Sequence, residues 1–240
     1  MLRNIWNTNT SFEVADYAPR FAVVPIGSFE QHGKHLPVTT DTLIAGILAK
    51  ELCDAYKGLL VSPIAVTCSH EHAGFPGTLS ISGGTLIQVL NDLIRSIESQ
   101  KIAFTVLLNC HGGNYVIGNV AQELNTVRPR VLIAPGRQHW NAALSYAGIE
   151  TPFSEDMHGG EIETSILLHA MPEVVQQHLI EDCPVNERPL LTLFGMSHYT
   201  KNGIIGFPSR ATAEKGKRLI EKLTSGIGDD IEAILKEHQS

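Results

Sequence analysis

Four short apolar runs constrain this chain more than any other feature. They are "FAVVPI" (21–26), "LLVSPIAV" (59–66), "FTVLLN" (104–109) and "RVLIAP" (130–135), bounded by Pro, Gly, Asn or His. Short runs of this kind, rich in β-branched residues and without polar alternation, read as strands buried on both faces. Between them the apolar period lengthens to that of a helix. Leu43, Ile44, Ile47, Leu48 and Leu52 recur at 3–4 spacing after Asp41, and Leu86, Val89, Leu90, Leu93 and Ile97 do so across 84–98. Residues 115–127 carry a weaker version, 161–171 another, and 212–238 a terminal one with an interruption expected near Gly226–Gly228. Strand–helix alternation predicts an α/β fold, a mainly parallel sheet with helices on both faces. Residues 178–210, with Pro184, Pro189, Gly203, Gly206 and Pro208, read as loops over the sheet's edge. No repeat, linker or low-complexity segment divides the chain, so residues 1–240 read as a single domain.

Composition then narrows the function classes. With 43% hydrophobic and 18% charged residues, the chain has the balance of a soluble globular protein. A formal charge of −7, with no Lys/Arg run beyond a pair, argues against nucleic acid as a partner. No apolar stretch approaches the roughly 20 residues of a membrane span. The segment "MLRNIWNTNTSFEVADY" lacks the apolar stretch and cleavage site of a signal peptide. Cys53, Cys68, Cys110 and Cys183 are widely spaced with no C-x-x-C, which suits a reducing compartment, so a cytoplasmic location is expected.

Each predicted strand is followed by a polar cluster: "GSFEQHG", "CSHEHAGFPG", "NCHGGN" and "GRQHW". Ligands of open parallel sheets bind in the crevice outside the strands' C-terminal ends, so clusters far apart in sequence can converge there. In the first, Glu30 and His32 stand at i and i+2, and in an extended segment both project to one side. Asp41 closes that loop. It reads either as a helix N-cap or as a further ligand. His111 follows directly on a strand and precedes Gly112–Gly113, where backbone can approach a ligand closely. A tight turn explains the glycines but leaves the histidine unaccounted for. "DMHGGEIETS" places Asp156, His158, Glu161 and Glu163 before a helix, whose dipole accounts for the glutamates but not for His158. "SHEH" (69–72) leads into a Pro/Gly turn and reads as substrate-lining or structural. Two histidines with several carboxylates and no thiolate form a ligand set suited to zinc, manganese or ferrous iron. Phosphate-loop, dinucleotide and nucleophile-elbow motifs are missing from the sequence.

Taken together, "PIGSFEQHGKHLPVTTD", "NCHGGN" and "HGGEIETS" resemble the hallmark blocks of the creatininase (creatinine amidohydrolase) family in order and spacing. "EHAGFPGTLSI" and "GFPSRATAEKG" extend the similarity over most of residues 20–220. The resemblance implies a three-layer α/β/α sandwich, two divalent metal ions per chain, and hydrolysis of a non-peptide C–N amide bond in a small molecule. It also implies a homo-oligomer, a hexamer built as a trimer of dimers. Carried over by motif, Glu30, Asp41 and His111 would hold one ion, and His32, Asp41 and Glu163 the other, with Asp41 bridging. His158 matches the histidine of proton transfer. Two metals bring water to hydroxide near neutral pH and polarise the attacked carbonyl, while an imidazole is suited to protonate the departing nitrogen.

Two positions depart from the pattern. Creatininases carry a glutamate two residues after the second-block histidine, where this chain has Gly113. Of two tryptophans over the substrate ring, Trp140 matches one, and Ser154 stands at the other. Glu161 is the expected replacement for the missing carboxylate, or a base. His72, Trp140, Gly112 and Gly113 are the expected substrate contacts. The departures count against creatinine itself. Other branches of the family share the same core residues. One removes a formyl group from a formamidopyrimidine ribonucleotide, and one is the peptidase of mycofactocin maturation. A metal-binding protein without turnover is the remaining reading.

Overall fold

The computed structural model describes residues 5–238. At its centre is a four-stranded parallel sheet: β1 (Phe21–Ile26), β2 (Gly58–Leu60), β3 (Thr105–Asn109) and β4 (Val131–Ala134), in the order β2-β1-β3-β4. Alternate residues of each strand enter opposite layers, as the two-residue period demands. Phe21, Val23, Val106 and Leu108 join one core, while Ala22, Val24, Ile26 and Leu107 join the other.

Among the described residues eight α-helices occur in chain order: α1 (Ser11–Tyr17), α2 (Thr40–Tyr56), α3 (Gly83–Ser99), α4 (Ile117–Leu124), α5 (Arg137–Ala147), α6 (Glu161–Ala170), α7 (Leu191–Phe194) and α8 (Ala213–Glu237). The first core takes its other wall from α2, α5, α6 and α8, through Ile47, Leu48, Ala143, Ile166, Leu223 and Ile227. The second takes Leu86, Leu90 and Ile94 of α3 and Val120 of α4. The result is the expected three-layer α/β/α arrangement.

Several local expectations are corrected. The second strand ends at Leu60 and pairs again only at an Ile26–Ile64 bridge. Pro63, which has no N–H to give a ladder, lies in the gap. Helix α8 runs unbroken through Gly226–Gly228. A Cβ at Gly228 would collide with the Tyr56 ring, so this glycine permits close packing against the end of α2. Helix α5 arises where only a polar cluster was expected. Its buried positions include Ala143 and Ala147, too small to give a strong apolar signal. The segment 178–210 is mostly loops and single 3-10 turns, with α7 as its one short α-helix. Among the described residues no helix is long and apolar enough to cross a membrane.

The strand order positions the site. The chain passes from β1 outward to β2, then returns to the other side of β1 for β3 and β4, so the winding reverses between β1 and β3. The loops leaving these two strands part at that switch point and open a crevice. Glu30 and His32 leave β1; His111 leaves β3.

Candidate metal centre

Asp41 lies at the middle of the site. It falls in the first turn of α2, whose N-cap is Thr39, so it is not the cap residue, and neither carboxylate oxygen serves as one. Oδ2 accepts from Ser28 Oγ at 2.9 Å and lies 3.0 Å from His111 Nδ1, while Oδ1 lies 3.1 Å from His32 Nε2. One carboxylate thus stands between two imidazoles. Glu30 adds Oε1 at 3.3 Å from His111 Nδ1, and Glu163 adds Oε1 at 3.9 Å from His32 Nε2.

Backbone carbonyls orient both rings. His32 Nδ1 donates to the Glu30 carbonyl at 3.0 Å, and His111 Nε2 donates to the Cys68 carbonyl at 2.7 Å. With one N–H spent in this way, the nitrogen facing the carboxylates carries a lone pair in the neutral ring. A lone pair can meet a carboxylate oxygen only across a proton or a cation. The ionisation behaviour records the same demand. Burial opposes a charged His32, but Asp41, Glu163 and Glu30 outweigh it and hold its pKa at about 9. Burial likewise opposes a charged His111, and the neighbouring Asp41 and Glu30 carboxylates push it well above the usual range. Burial penalises the Asp41 carboxylate too, yet His32 and His111 hold it well below the usual carboxylate range. Glu163 goes the other way, pushed up to about 8 by burial.

Glu30 gives the sharpest test of whether a metal fits. It is fully buried, and neither carboxylate oxygen has a hydrogen-bond partner. A buried carboxylate left in that state costs several kcal/mol. A divalent cation among N and O donors removes the cost, and the surroundings supply the donors. Ligand atoms of Glu30, Asp41 and His111 lie within 4.8 Å of one another, as do those of His32, Asp41 and Glu163. A third such group is Glu30, His32 and His158. The donor set fits divalent transition metals.

His158 and His72 close the other side. The His158 ring lies 4.1 Å from that of His32 and 4.3 Å from that of His72. Its Nε2 donates to the Gln31 carbonyl at 2.6 Å, leaving Nδ1 toward Glu30 Oε1 at 3.7 Å. The Gln31 side-chain amide donates to His72 Nδ1 at 3.0 Å and to the Gly203 carbonyl at 2.9 Å. His72 Nε2 then faces Glu30 Oε1 at 3.4 Å. Burial, followed by the neighbouring His32 and His72, pushes His158 well below its ordinary value, so this imidazole is held neutral.

Sequence expectation and structure part at Glu161. Its carboxylate is buried on the far side of α6, paired with Lys215 Nζ and accepting from Thr151 Oγ1 at 3.2 Å. It joins none of the ligand groups. Glu161 and Glu163 are two residues apart on a helix, about 200° around its axis, so they point to opposite sides. Asp156 caps the start of α6, accepting from the backbone N–H groups of Glu161 and Ile162 at 2.7 and 3.1 Å. Two residues that sequence reasoning missed stand beside the site. Phe153 meets Trp140 edge-on, 5.4 Å between ring centroids, and both line a cavity of about 330 Å³ that also touches His111, Gly112 and Glu163. Its signal was its place beside Ser154. Glu71, inside "SHEH", lines the inner cavity of about 130 Å³ together with Glu30, Asp41, His72, His111, Gly113 and His158.

The family profile described as "Creatininase: Creatinine amidohydrolase" matches residues 7–231. The mycofactocin precursor peptide peptidase of Mycolicibacterium smegmatis is 33% identical over 234 residues, covering 93% of this chain and 89% of that protein. The creatinine amidohydrolase of Pseudomonas putida is 26% identical over 230 residues, 87% of each. Among solved structures, a mutant creatininase complexed with creatine superposes with a TM-score of 0.82 at 22% identity, over 96% of this chain and 98% of that one. Agreement in sequence along nearly the whole length, and in fold, makes this chain a member of the creatininase family of hydrolases.

Proposed function

We propose that this chain is a metal-dependent amidohydrolase that breaks a C–N bond other than a peptide bond, in a small cyclic amide or formamide. The observation that carries the metal requirement is Glu30, a fully buried carboxylate with both oxygens unpartnered beside two oriented histidines. Two divalent ions, zinc, manganese or iron, would be held by Glu30, Asp41 and His111 and by His32, Asp41 and Glu163, with Asp41 shared. Such ions supply a water acidic enough to attack at neutral pH and polarise the carbonyl it attacks.

The chain's own residues do the rest. His158, neutral and with Nε2–H committed to Gln31, accepts a proton at Nδ1 and passes it to the departing nitrogen. Gln31 and the Gly203 carbonyl keep His72 and His158 in register. Trp140 and Phe153 wall the cavity of about 330 Å³, holding a flat substrate and excluding water.

A second reading is cleavage of a peptide bond. It is supported by the similarity to mycofactocin precursor peptide peptidases, and by a groove of about 590 Å³ beyond Gly113, lined by Tyr115, Leu191 and Phe194. Metal-loaded protein should be assayed against creatinine, formamidopyrimidines, other cyclic amides and short peptides, with His158→Ala in parallel. Turnover of a small amide is expected. His158→Ala should retain metal and lose about 10²–10⁴-fold in kcat. Hydrolysis confined to peptides would overturn the first reading in favour of the second. Metal retained with no hydrolysis at all would overturn both and leave a binding protein.

A further inference from the structure

We propose that Glu71 is the outer carboxylate of the metal position formed by Glu30, Asp41 and His111, acting on the ion through the far side of the His111 ring. The inference rests on the metal-dependent reading given above.

Space around Gly113 supplies the first argument. A Cβ placed there would collide with Glu71 Oε1, and would lie 2.5 Å from His111 Nε2 and 2.6 Å from the Cys68 carbonyl. The volume that a side chain at position 113 would enter is therefore occupied by the Glu71 carboxylate. The carboxylate expected of Glu161 reaches the site from a different element, the single 3-10 turn His70–His72.

The second argument is how that turn is held. Its neighbour His72 is fastened inside the site, with Nδ1 on Gln31 and Nε2 toward Glu30. On the other side, Gly195 packs so closely that a Cβ would lie 2.9 Å from the Glu71 carbonyl. Between these anchors the Glu71 side chain, 16% exposed, reaches Oε1 to 3.9 Å from His111 Nε2. That nitrogen is the one turned away from Glu30 and Asp41. A carboxylate near the remote N–H of a ligating histidine raises the ring's basicity and fixes its orientation. Glu71 does so together with the Cys68 carbonyl, which takes the hydrogen bond itself.

The test is a competitive metal titration with zinc or manganese on metal-stripped full-length protein, comparing wild type with Glu71→Gln and Glu71→Asp. Wild type should show two binding events. Glu71→Gln, matched in shape but uncharged, should weaken one of them by about 10–100-fold and leave the other within about twofold. Glu71→Asp, which keeps the charge but draws it back, should fall between the two. Circular dichroism run in parallel identifies a variant that has unfolded, in which case the aspartate variant decides. Two unchanged events in the glutamine variant would overturn the proposal, and so would equal weakening of both. An ion lost outright at saturating metal would overturn it as well, since Glu71 would then be a direct ligand. Wild type that takes up no ion would overturn the metal-dependent reading and the proposal with it.

Discussion

The two halves of the site differ in how far the protein satisfies them alone. Around His32 and Glu163 the fold provides partners. Glu163 Oε2 accepts from the Gly159 N–H at 2.6 Å, and the His32 ring is tied to the Glu30 carbonyl. Around Glu30 it does not: both carboxylate oxygens are buried without a hydrogen bond. Such an arrangement opposes folding unless a cation completes it. One half is close to self-sufficient and the other is built around a missing charge. Dependence on the ion should therefore be unequal, although both halves share Asp41.

The largest effect is expected where the halves meet. Asp41→Ala removes the carboxylate common to both, so elemental analysis should find both ions lost. Activity should fall by at least about 10³-fold, since positioning and electrostatic stabilisation go together. Retention of both ions would show that Asp41 does not bridge. Glu30→Gln sharpens the contrast. It should release the ion of its own half while the His32–Asp41–Glu163 ion stays. In the presence of chelator, this variant should be more stable than equally stripped wild type by about 1–3 kcal/mol, because a buried carboxylate without a hydrogen bond has gone. Thermal unfolding measures the sign, and a stripped variant that melts lower would contradict the account of Glu30. Glu161→Gln is the smallest. Metal content should be unchanged, with a loss of about 1–2 kcal/mol in urea unfolding, since water screens the partly exposed Lys215. Loss of an ion would return Glu161 to the site.

Much of this was legible in the sequence, because its signals are local. Strand β1 is the run "FAVVPI" itself, and the polar clusters after β1, β3 and β4 do follow strand ends, whereas the one opening at Cys68 lies well beyond the end of β2 at Leu60. Glu30, His32, Asp41, His111 and Glu163 are brought together by the sheet's switch point, a property of topology that strand–helix alternation implies. What escaped reading depended on local backbone form. Glu161 looked like a spare ligand only from its place two residues before Glu163. Once α6 starts at that residue, positions 161 and 163 face apart. Glu71 needed a 3-10 turn and an empty position 113 on another loop, neither of which has a sequence period. Phe153 places an aromatic ring beside Ser154, edge-on to Trp140.

The central claim is that this fold is completed by metal, and the direct measurement is the metal content of protein purified without chelators. Elemental analysis should find two divalent transition-metal ions per chain. Less than one tightly held ion per chain would contradict the account.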